Sequence, residues 1–207
     1  MMRLAYAGVI AGALVVVGCQ SAAPLFNGQD LSGWVEIGSE NAWQVRDGIL
    51  HCTGEKTGYA WLGTDRKYGD FVLEFDWRIE PEGNAGVFLR APDREGRTSM
   101  KGFEVQARDD ATDETLEDVS GAVFRRIPAA GRFTRPVGEW NHFRLTMRGR
   151  RLLVELNGKL ASDTNIDTVP ALEGDPPMSA VPNEGYIGLQ NHGSPCDFRN
   201  VVIRKLR

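Results

Sequence analysis

The sequence predicts an all-β fold, built as a two-sheet antiparallel jelly-roll sandwich. From residue 43 onward, apolar residues recur at every second position in short runs that Gly, Pro, Asn and Asp separate, which is typical of half-buried strands. After residue 18, no stretch long enough for a helix shows the three-and-four spacing of an amphipathic one. Many short strands in a single domain of this length favour two stacked sheets over a closed barrel.

The clearest predicted strand spans residues 71–79, where every odd-numbered residue is large and apolar and most of the others are charged. The same alternation predicts further strands within 102–107, 143–147, 151–156, 186–190 and 198–203. Arg148-Gly149-Arg150 and Asn157-Gly158 are turn signals, so they predict two successive hairpins. The polar or proline-rich segments that predict loops are 91–100, 108–118 and 163–184.

The N-terminus has the layout of a secretion signal. Arg3 is followed by an apolar run that ends on Gly18, which is shorter than the roughly 20 residues of a membrane-spanning helix. Val16-Val17-Gly18-Cys19 resembles the bacterial lipobox, which implies cleavage before Cys19 and lipid on that cysteine; an ordinary secretory peptide is the alternative.

We therefore expect three segments in the chain: a signal peptide over residues 1–18, lipidated Cys19 with a short linker over 19–24, and one domain over 25–207. The expected location is the bacterial cell envelope, facing the periplasm or the exterior, with the lipid as the sole contact to the membrane. Cys52 and Cys196 then remain as a pair in an oxidising compartment, either as a disulfide or as two separate buried thiols.

Composition and missing motifs exclude several classes of function. The net charge of −4 and the scattered basic residues argue against nucleic-acid binding. The sequence contains no Gly-x-Ser-x-Gly, Gly-x-Gly, His-Glu-x-x-His or Cys-x-x-Cys motif, so elbow-type serine hydrolases, dinucleotide enzymes and thiolate zinc sites are not supported. With three histidines in the chain, an all-histidine zinc site would need every one of them.

A set of polar residues takes the parity opposite to the apolar residues of the same predicted strands. These residues are Glu74, Arg90, Glu104, Gln106, Gln190 and His192. Each one alone fits the solvated outer face of a sandwich. Together they offer carboxylate, guanidinium, amide and imidazole groups, which a sugar site uses for hydroxyl recognition and proton transfer. Parity cannot tell which of the strands share a sheet.

The order of segments along the chain resembles the 3-keto-disaccharide hydrolase family. The segments that carry the resemblance are Leu25-Phe-Asn-Gly-Gln-Asp-Leu-Ser-Gly-Trp34, Tyr68-Gly-Asp-Phe71, Gly83-Asn-Ala-Gly-Val-Phe-Leu-Arg90, Gly102-Phe-Glu-Val-Gln106, Ser120-Gly-Ala-Val-Phe124, Gly138-Glu-Trp-Asn141, Leu156-Asn-Gly158, Gly185-Tyr-Ile-Gly-Leu-Gln-Asn-His-Gly193 and Phe198-Arg-Asn200. The chain departs from the family pattern at Phe124-Arg125, in place of Tyr-Gly, and at Asn191, in place of Asp.

The resemblance implies a concanavalin-A-like jelly roll whose concave sheet holds a sugar. It also implies a substrate whose 3-hydroxyl a separate oxidoreductase has already converted to a ketone. The ketone acidifies the hydrogen on C2, so a base removes it, the C1 oxygen leaves, and water adds back to give net hydrolysis. The reaction needs a base near C2, a donor to the departing oxygen and a group that stabilises the enolate.

Within this scheme, His192 and Glu104 are the candidate catalytic pair, because imidazole titrates near neutrality and the carboxyl can be its partner. Arg90 is the candidate for the enolate or a hydroxyl, and Gln106, Gln190 and Glu74 are candidates for sugar contacts. A divalent cation held by Glu74, Glu104 and His192 is the alternative to Arg90. A non-catalytic carbohydrate-binding module and a conventional two-carboxylate glycosidase remain as other functions for the same fold.

Overall fold

The computed structural model describes residues 21–206 and is built almost entirely from strands. In chain order the strands are β1 (Ala23–Pro24), β2 (Trp34–Ile37), β3 (Trp43–Arg46), β4 (Ile49–Cys52), β5 (Ala60–Thr64), β6 (Phe71–Ile79), β7 (Asn84–Ala91), β8 (Phe103–Arg108), β9 (Asn141–Arg148), β10 (Arg151–Leu156), β11 (Lys159–Asn165), β12 (Tyr186–Asn191) and β13 (Cys196–Lys205). One helical turn, α1 (Thr98–Lys101), precedes β8, and 3-10 turns occur at Ile166–Thr168 and Met178–Ala180. None of the helices within residues 21–206 has the length and hydrophobicity needed to cross a membrane.

The strands form two antiparallel sheets. The larger one has the order β11-β10-β9-β6-β13-β4-β3, with β1 paired to β13, and the smaller one has the order β2-β5-β12-β7-β8. The predicted all-β, two-sheet sandwich is confirmed. The expected signal peptide and Cys19 lie outside the described residues.

One hydrophobic core fills the space between the sheets. On β6, the five odd-numbered residues predicted to face inward are all buried, whereas Glu74, Asp76 and Arg78 are partly exposed on the other side. The smaller sheet contributes Val87, Val105 and other residues of the same parity from its inner face. Because successive side chains on a strand point to opposite faces, the residues between them are directed away from this core.

The predicted hairpins are confirmed. Gly149 joins β9 to β10 with a φ of 56°, and Asn157-Gly158 joins β10 to β11 with φ values of 51° and 75°. Positive φ at both central residues matches the twist of the flanking strands, which explains the Asn-Gly pair.

The predicted loops are mostly irregular, although α1 begins within 91–100 and β11 extends into 163–184. The segment after the 108–118 loop continues the smaller sheet, because the Phe124 amide donates to the Glu104 carbonyl and the Gln106 amide donates to that of Ala122.

Cys52 and Cys196 are direct partners on β4 and β13, and both are buried free thiols. They are therefore close neighbours in the structure without forming the disulfide that was one of the two expectations. Both side chains belong to the core between the sheets.

A β-bulge near the end of β7 changes the orientation of Arg90. Phe88 pairs with Gly188 and Ala91 pairs with Tyr186, so three steps along β7 match two steps along β12. Arg90 takes up the extra residue with a φ of 57°, in the left-handed region. A bulge interrupts alternation, and this is why parity failed to place the Arg90 side chain.

The Arg90 guanidinium is fully buried and ties together parts of the chain that are far apart in sequence. It donates to the Pro182 carbonyl at 3.1 Å, to Asp70 Oδ1 at 3.2 Å and to the Gly149 carbonyl at 3.3 Å. These bonds join β7 to the β9–β10 hairpin and to the loop before β12. In this structure the Arg90 guanidinium is occupied by contacts within the protein and is not free to bind the sugar or the enolate as the sequence analysis expected, and these contacts indicate a structural role.

We predict that Arg90→Met lowers the free energy of unfolding by about 3 kcal/mol, because it leaves Asp70 and two carbonyls without their buried donor. Urea denaturation measures this change. Arg151→Met is the matched control, since Arg151 pairs with Asp163 on the surface and has much less to lose. A variant as stable as the control would contradict the structural role.

Candidate functional site

The outer face of the smaller sheet carries a polar cleft of about 190 Å³. Glu104 and Gln106 on β8 and Gln190 on β12 form its floor, and His192 and Lys56 lie at its rim. Its remaining lining residues are Tyr59, Ala60, Asn84, Arg97, Ser99, Phe124 and Asn191. Ligand pockets for drug-sized molecules span roughly 300–1,000 Å³, so a cleft of this size suits a single sugar ring.

Two glycines make room for large side chains on this face. A Cβ on Gly86 would overlap the Glu104 carboxylate, and a Cβ on Gly188 would overlap the Trp61 indole. Because both positions are glycine, the Glu104 side chain can lie across β7 and the Trp61 ring can lie flat over β12. Trp61 packs edge-on against Phe88, with ring centroids 5.8 Å apart, in a small apolar cluster against which the cleft residue Tyr59 packs.

Among the carboxyl groups of the described residues, Glu104 has the most strongly shifted pKa. Its side chain is almost completely buried, and burial together with the negative charge of Asp118 raises its pKa to about 8. A hydrogen bond from the Gln190 amide and the positive charge of Arg97 act in the opposite direction. At neutral pH, Glu104 therefore keeps its proton and can act as an acid.

Three amide oxygens that line the cleft have no hydrogen-bond partner: Gln106 Oε1, Gln190 Oε1 and Asn84 Oδ1. The NH₂ group of Gln106 donates to Asp118 at 2.6 Å, so the acceptor end of this amide is left free. Gln106 and Gln190 are at least 95% buried. Buried acceptors without donors are costly, which indicates that a ligand with hydroxyl or N–H groups completes them.

His192 and two cations surround the floor. Partial burial, Lys56 and Arg108 lower the pKa of His192, and the charge of Asp118 opposes them. The imidazole is therefore neutral at neutral pH and can accept a proton. Neither Lys56 nor Arg97 has an acidic partner within 4.0 Å among residues 21–206, so the rim of the cleft is positively charged.

The structure brings together four of the six residues predicted from parity: Glu104, Gln106, Gln190 and His192. Arg90 is absent from the cleft because of the bulge. Glu74 lies on the outer face of the other sheet, where it binds Arg144 at 2.6 Å. The structure therefore does not bring Glu74 into the cleft with the other residues predicted to contact the sugar, because parity alone cannot assign a strand to one sheet or the other.

The structure does not support a divalent-cation site formed by Glu74, Glu104 and His192, because Glu74 lies on the larger sheet and the other two lie on or directly after strands of the smaller one. Glu74 is separated from Glu104 and His192 by the thickness of the sandwich, so the three cannot ligate one ion. Across the described part of the chain, no other cluster of three or more His, Cys, Asp or Glu side chains has the geometry of a metal site.

Several residues of the cleft could not be recognised from alternation. Lys56, Tyr59 and Arg97 lie on loops. Asp118, which binds Gln106 from outside the cleft, lies at the end of the 108–118 segment that was predicted only as a loop. Alternation could have identified Asn84, because it lies on β7 with the same parity as Gly86 and Phe88 and therefore faces the same side of the sheet. Phe124 and Asn191, where the chain departs from the pattern of the family it resembles, both line the cleft.

A family profile and a curated relative both point to the family that the sequence resembles. A family profile described as a 3-keto-alpha-glucoside-1,2-lyase-like domain matches residues 21–204. The chain is 25% identical to a 3-keto-disaccharide hydrolase of Bacteroides thetaiotaomicron, over 88% of this chain and 77% of that protein.

Two solved structures are informative. A candidate glycosyl hydrolase of Parabacteroides distasonis has a TM-score of 0.78 and 25% identity, covering 90% of this chain and 100% of its own. Carbohydrate binding module CBM66 of Bacillus subtilis has a TM-score of 0.56 and 16% identity, covering 84% of this chain and 96% of its own, and this likeness shows the fold alone. The expected jelly roll of the concanavalin-A-like kind is confirmed.

The raised pKa of Glu104 predicts a specific pH dependence of stability. Between pH 4.5 and about 8 the folded state holds a proton that the unfolded state has lost, so the wild type loses up to about 1.4 kcal/mol of stability per pH unit on this account. Glu104→Gln removes the titrating group. We predict that its stability relative to wild type rises as the pH increases from 5 to 8.

Urea denaturation at intervals of one pH unit measures this difference. Glu74→Gln is the matched control, because Glu74 is a partly exposed glutamate on the other sheet. A stability difference between Glu104→Gln and wild type that stays constant over this range would show that Glu104 is ionised in the folded protein.

Proposed function

The chain belongs to the 3-keto-alpha-glucoside-1,2-lyase-like family, and we propose that it cleaves glycosides whose C3 hydroxyl has been oxidised to a ketone. The family and the curated relative support a carbohydrate-active function of the glycoside hydrolase kind. The ketone substrate and the route by elimination and hydration are the further step that we propose here.

One observation carries the proposal: an acid and a base in complementary protonation states face the same cleft. Glu104 holds its proton up to about pH 8, and His192 has a lowered pKa and is neutral at pH 7. Elimination needs both at once, because a base must take the C2 proton while an acid protonates the departing C1 oxygen. A purely binding site needs no such pair.

In this mechanism, His192 removes the proton from C2 of the 3-keto sugar, and the electron pair of that bond forms the enolate. Its collapse expels the C1 oxygen, which takes the proton from Glu104. Water then adds across the C1–C2 double bond, with a hydroxyl going to C1 and a proton to C2. The sum of the two stages is hydrolysis of the glycosidic bond.

The enolate requires a positive neighbour, and the cleft supplies two candidates in place of Arg90. Arg97 acts on Glu104 and Lys56 acts on His192 through their charges, and both side chains line the cleft. A cation in a partly desolvated cleft stabilises developing negative charge far more than it would in water. We assign this role to Arg97 and Lys56 together.

Sugar hydroxyls that do not react are matched by the free amide oxygens of Asn84, Gln106 and Gln190. Each oxygen accepts a hydrogen bond from one hydroxyl, which satisfies a buried acceptor and orients the ring. Tyr59, stacked on Phe88 at 5.7 Å, and Phe124 provide apolar surface beside them.

A conventional glycosidase requires two carboxyl groups on either side of the bond, about 5–9.5 Å apart depending on the mechanism. Among the described residues that line the cleft, Glu104 is the only carboxyl group. Asp118 lies behind Gln106, where both of its oxygens accept hydrogen bonds from protein side chains. The geometry therefore favours the ketone route.

We predict that the purified domain, residues 20–207, releases the aglycone from a 3-keto-glucoside but not from the matching unoxidised glucoside. Each anomer is tested separately, with sugar products followed by chromatography. Cleavage of the unoxidised glycoside, lost in Glu104→Gln, would favour a conventional glycosidase. Tight binding of sugars without turnover would favour a binding module and overturn the proposal.

The two catalytic roles can be separated by the leaving group and by isotope exchange. We predict that Glu104→Gln slows cleavage of a 3-keto-disaccharide by about 10²–10⁴-fold, yet slows that of a 3-keto p-nitrophenyl glycoside much less, since that leaving group needs no acid. His192→Gln is expected to abolish exchange of the C2 hydrogen with D₂O, which NMR detects in the remaining substrate.

Glu74→Gln is the control for both variants and should match the wild type in rate and exchange. The assignment would be wrong if Glu104→Gln were equally impaired on both leaving groups, or if His192→Gln retained exchange at C2.

We also propose that the protein is held at the bacterial envelope by lipid on Cys19, outside the cytoplasm. The apolar run that ends at Cys19 supports this. Such a protein has no access to cytoplasmic nicotinamide cofactors, so a separate oxidoreductase must form the ketone. We predict that Cys19→Ala moves the full-length protein from the membrane fraction to the soluble envelope fraction. Retention of this variant in the membrane fraction would contradict lipidation.

A further inference from the structure

We infer that Asp118 is a positioning residue of the cleft: its carboxylate orients the Gln106 amide toward the substrate and adds a negative charge behind the floor of the cleft. The inference rests on the proposed function. Asp118 does not line the cleft, and parity did not identify it.

The geometry of the amide is the first argument. Asp118 Oδ1 accepts from Gln106 Nε2 at 2.6 Å, and Asp118 Oδ2 accepts from Arg108 Nη1 at 2.9 Å. An amide has its donors on one end and its acceptor on the other, so fixing the NH₂ group fixes the carbonyl as well. Gln106 is 1% exposed and its Oε1 is without a partner. Asp118 thus determines that the cleft presents an acceptor at this position.

The choice of acceptor matters for binding. A carboxylate can only accept, whereas an asparagine or a hydroxyl could accept or donate. With an aspartate at position 118, the flipped Gln106 amide would place two acceptors against each other and is excluded. The amide oxygen therefore remains available to a sugar hydroxyl.

The charge of Asp118 is the second argument, because it acts on both members of the catalytic pair. It adds to burial in raising the pKa of Glu104, where Gln190 and Arg97 act in the opposite direction and the Tyr59 side chain is also close. At His192 it opposes Lys56 and Arg108, which lower the pKa. One carboxylate outside the cleft thus adds to the burial that keeps the acid protonated, and it moderates the loss of basicity in the base.

Asp118→Asn removes the negative charge and, because asparagine can donate as well as accept, it no longer excludes the flipped Gln106 amide. Loss of the charge makes the Glu104 anion easier to form and the His192 cation harder to form. We predict that both pKa values fall, by about 0.5–1 unit each, and that both limbs of the pH–rate profile move toward lower pH. KM should rise less than in Asp118→Ala, because one orientation of the asparagine still accepts from Gln106.

Asp118→Ala removes the charge and the hydrogen bond together. We predict the same shift of the pH profile plus an increase in KM of about five-fold or more, because the Gln106 amide is then free to turn its NH₂ group into the cleft. Asp113→Asn is the matched control. Asp113 lies on the same loop and also pairs with Arg108, at 3.6 Å, but has no bond to Gln106.

NMR titration of His192, one of three histidines in the chain, and of the Glu104 carboxyl measures the pKa shifts without using activity. Unchanged titrations in Asp118→Asn, or equal shifts in Asp113→Asn, would overturn the inference. Shifted titrations in a protein that does not cleave 3-keto-glycosides would retain the role of Asp118 and refute the proposed reaction. Thermal unfolding of each variant identifies any general loss of structure.

Discussion

The arrangement of this protein depends on the strict alternation of side chains along paired strands. Each strand must direct one set of side chains into the core that the two sheets share, so the other set is placed on an outer face. On the smaller sheet, Val87 and Val105 are in the core, and their neighbours Phe88, Glu104 and Gln106 are therefore brought together on the outside. Burial of the apolar residues fixes the register, and the register assembles the cleft.

The same constraint explains how far the sequence could predict the site. Alternation correctly assigned the inward face of β6 and directed Glu104, Gln106 and Gln190 away from the core, because β8 and the end of β12 alternate regularly. It failed for Arg90, since a bulge of one residue reverses parity and has no clear signal in the sequence. It failed for Glu74 because sheet membership depends on strand order, which is a property of the whole fold. The loop residues Lys56, Arg97 and Asp118 have no periodicity that alternation could detect.

The cleft has a positively charged rim, although the chain as a whole has a net negative charge. The protein carries a net charge of −4, yet Lys56 and Arg97 line the cleft without acidic partners among the described residues and Glu104 is protonated at neutral pH. An anionic transition state is favoured in such a place, whereas the rest of the surface would repel it. The cleft is therefore matched to a reaction that develops negative charge on the substrate, as enolate formation does.

Burial of a single carboxyl group separates a catalytic site from a binding site on this fold. Glu74 and Glu104 occupy outer faces of the two sheets, but Glu74 is partly exposed and paired with Arg144, while Glu104 lies across Gly86 and is shielded from water. An ionised carboxylate can only accept hydrogen bonds from a sugar, so loss of the proton from Glu104 would remove the acid. The amide oxygens beside it would still recognise hydroxyls, so the site would bind without supplying a proton. The glycine at position 86, which permits the buried conformation of Glu104, is therefore as important to the proposed chemistry as the carboxyl group itself.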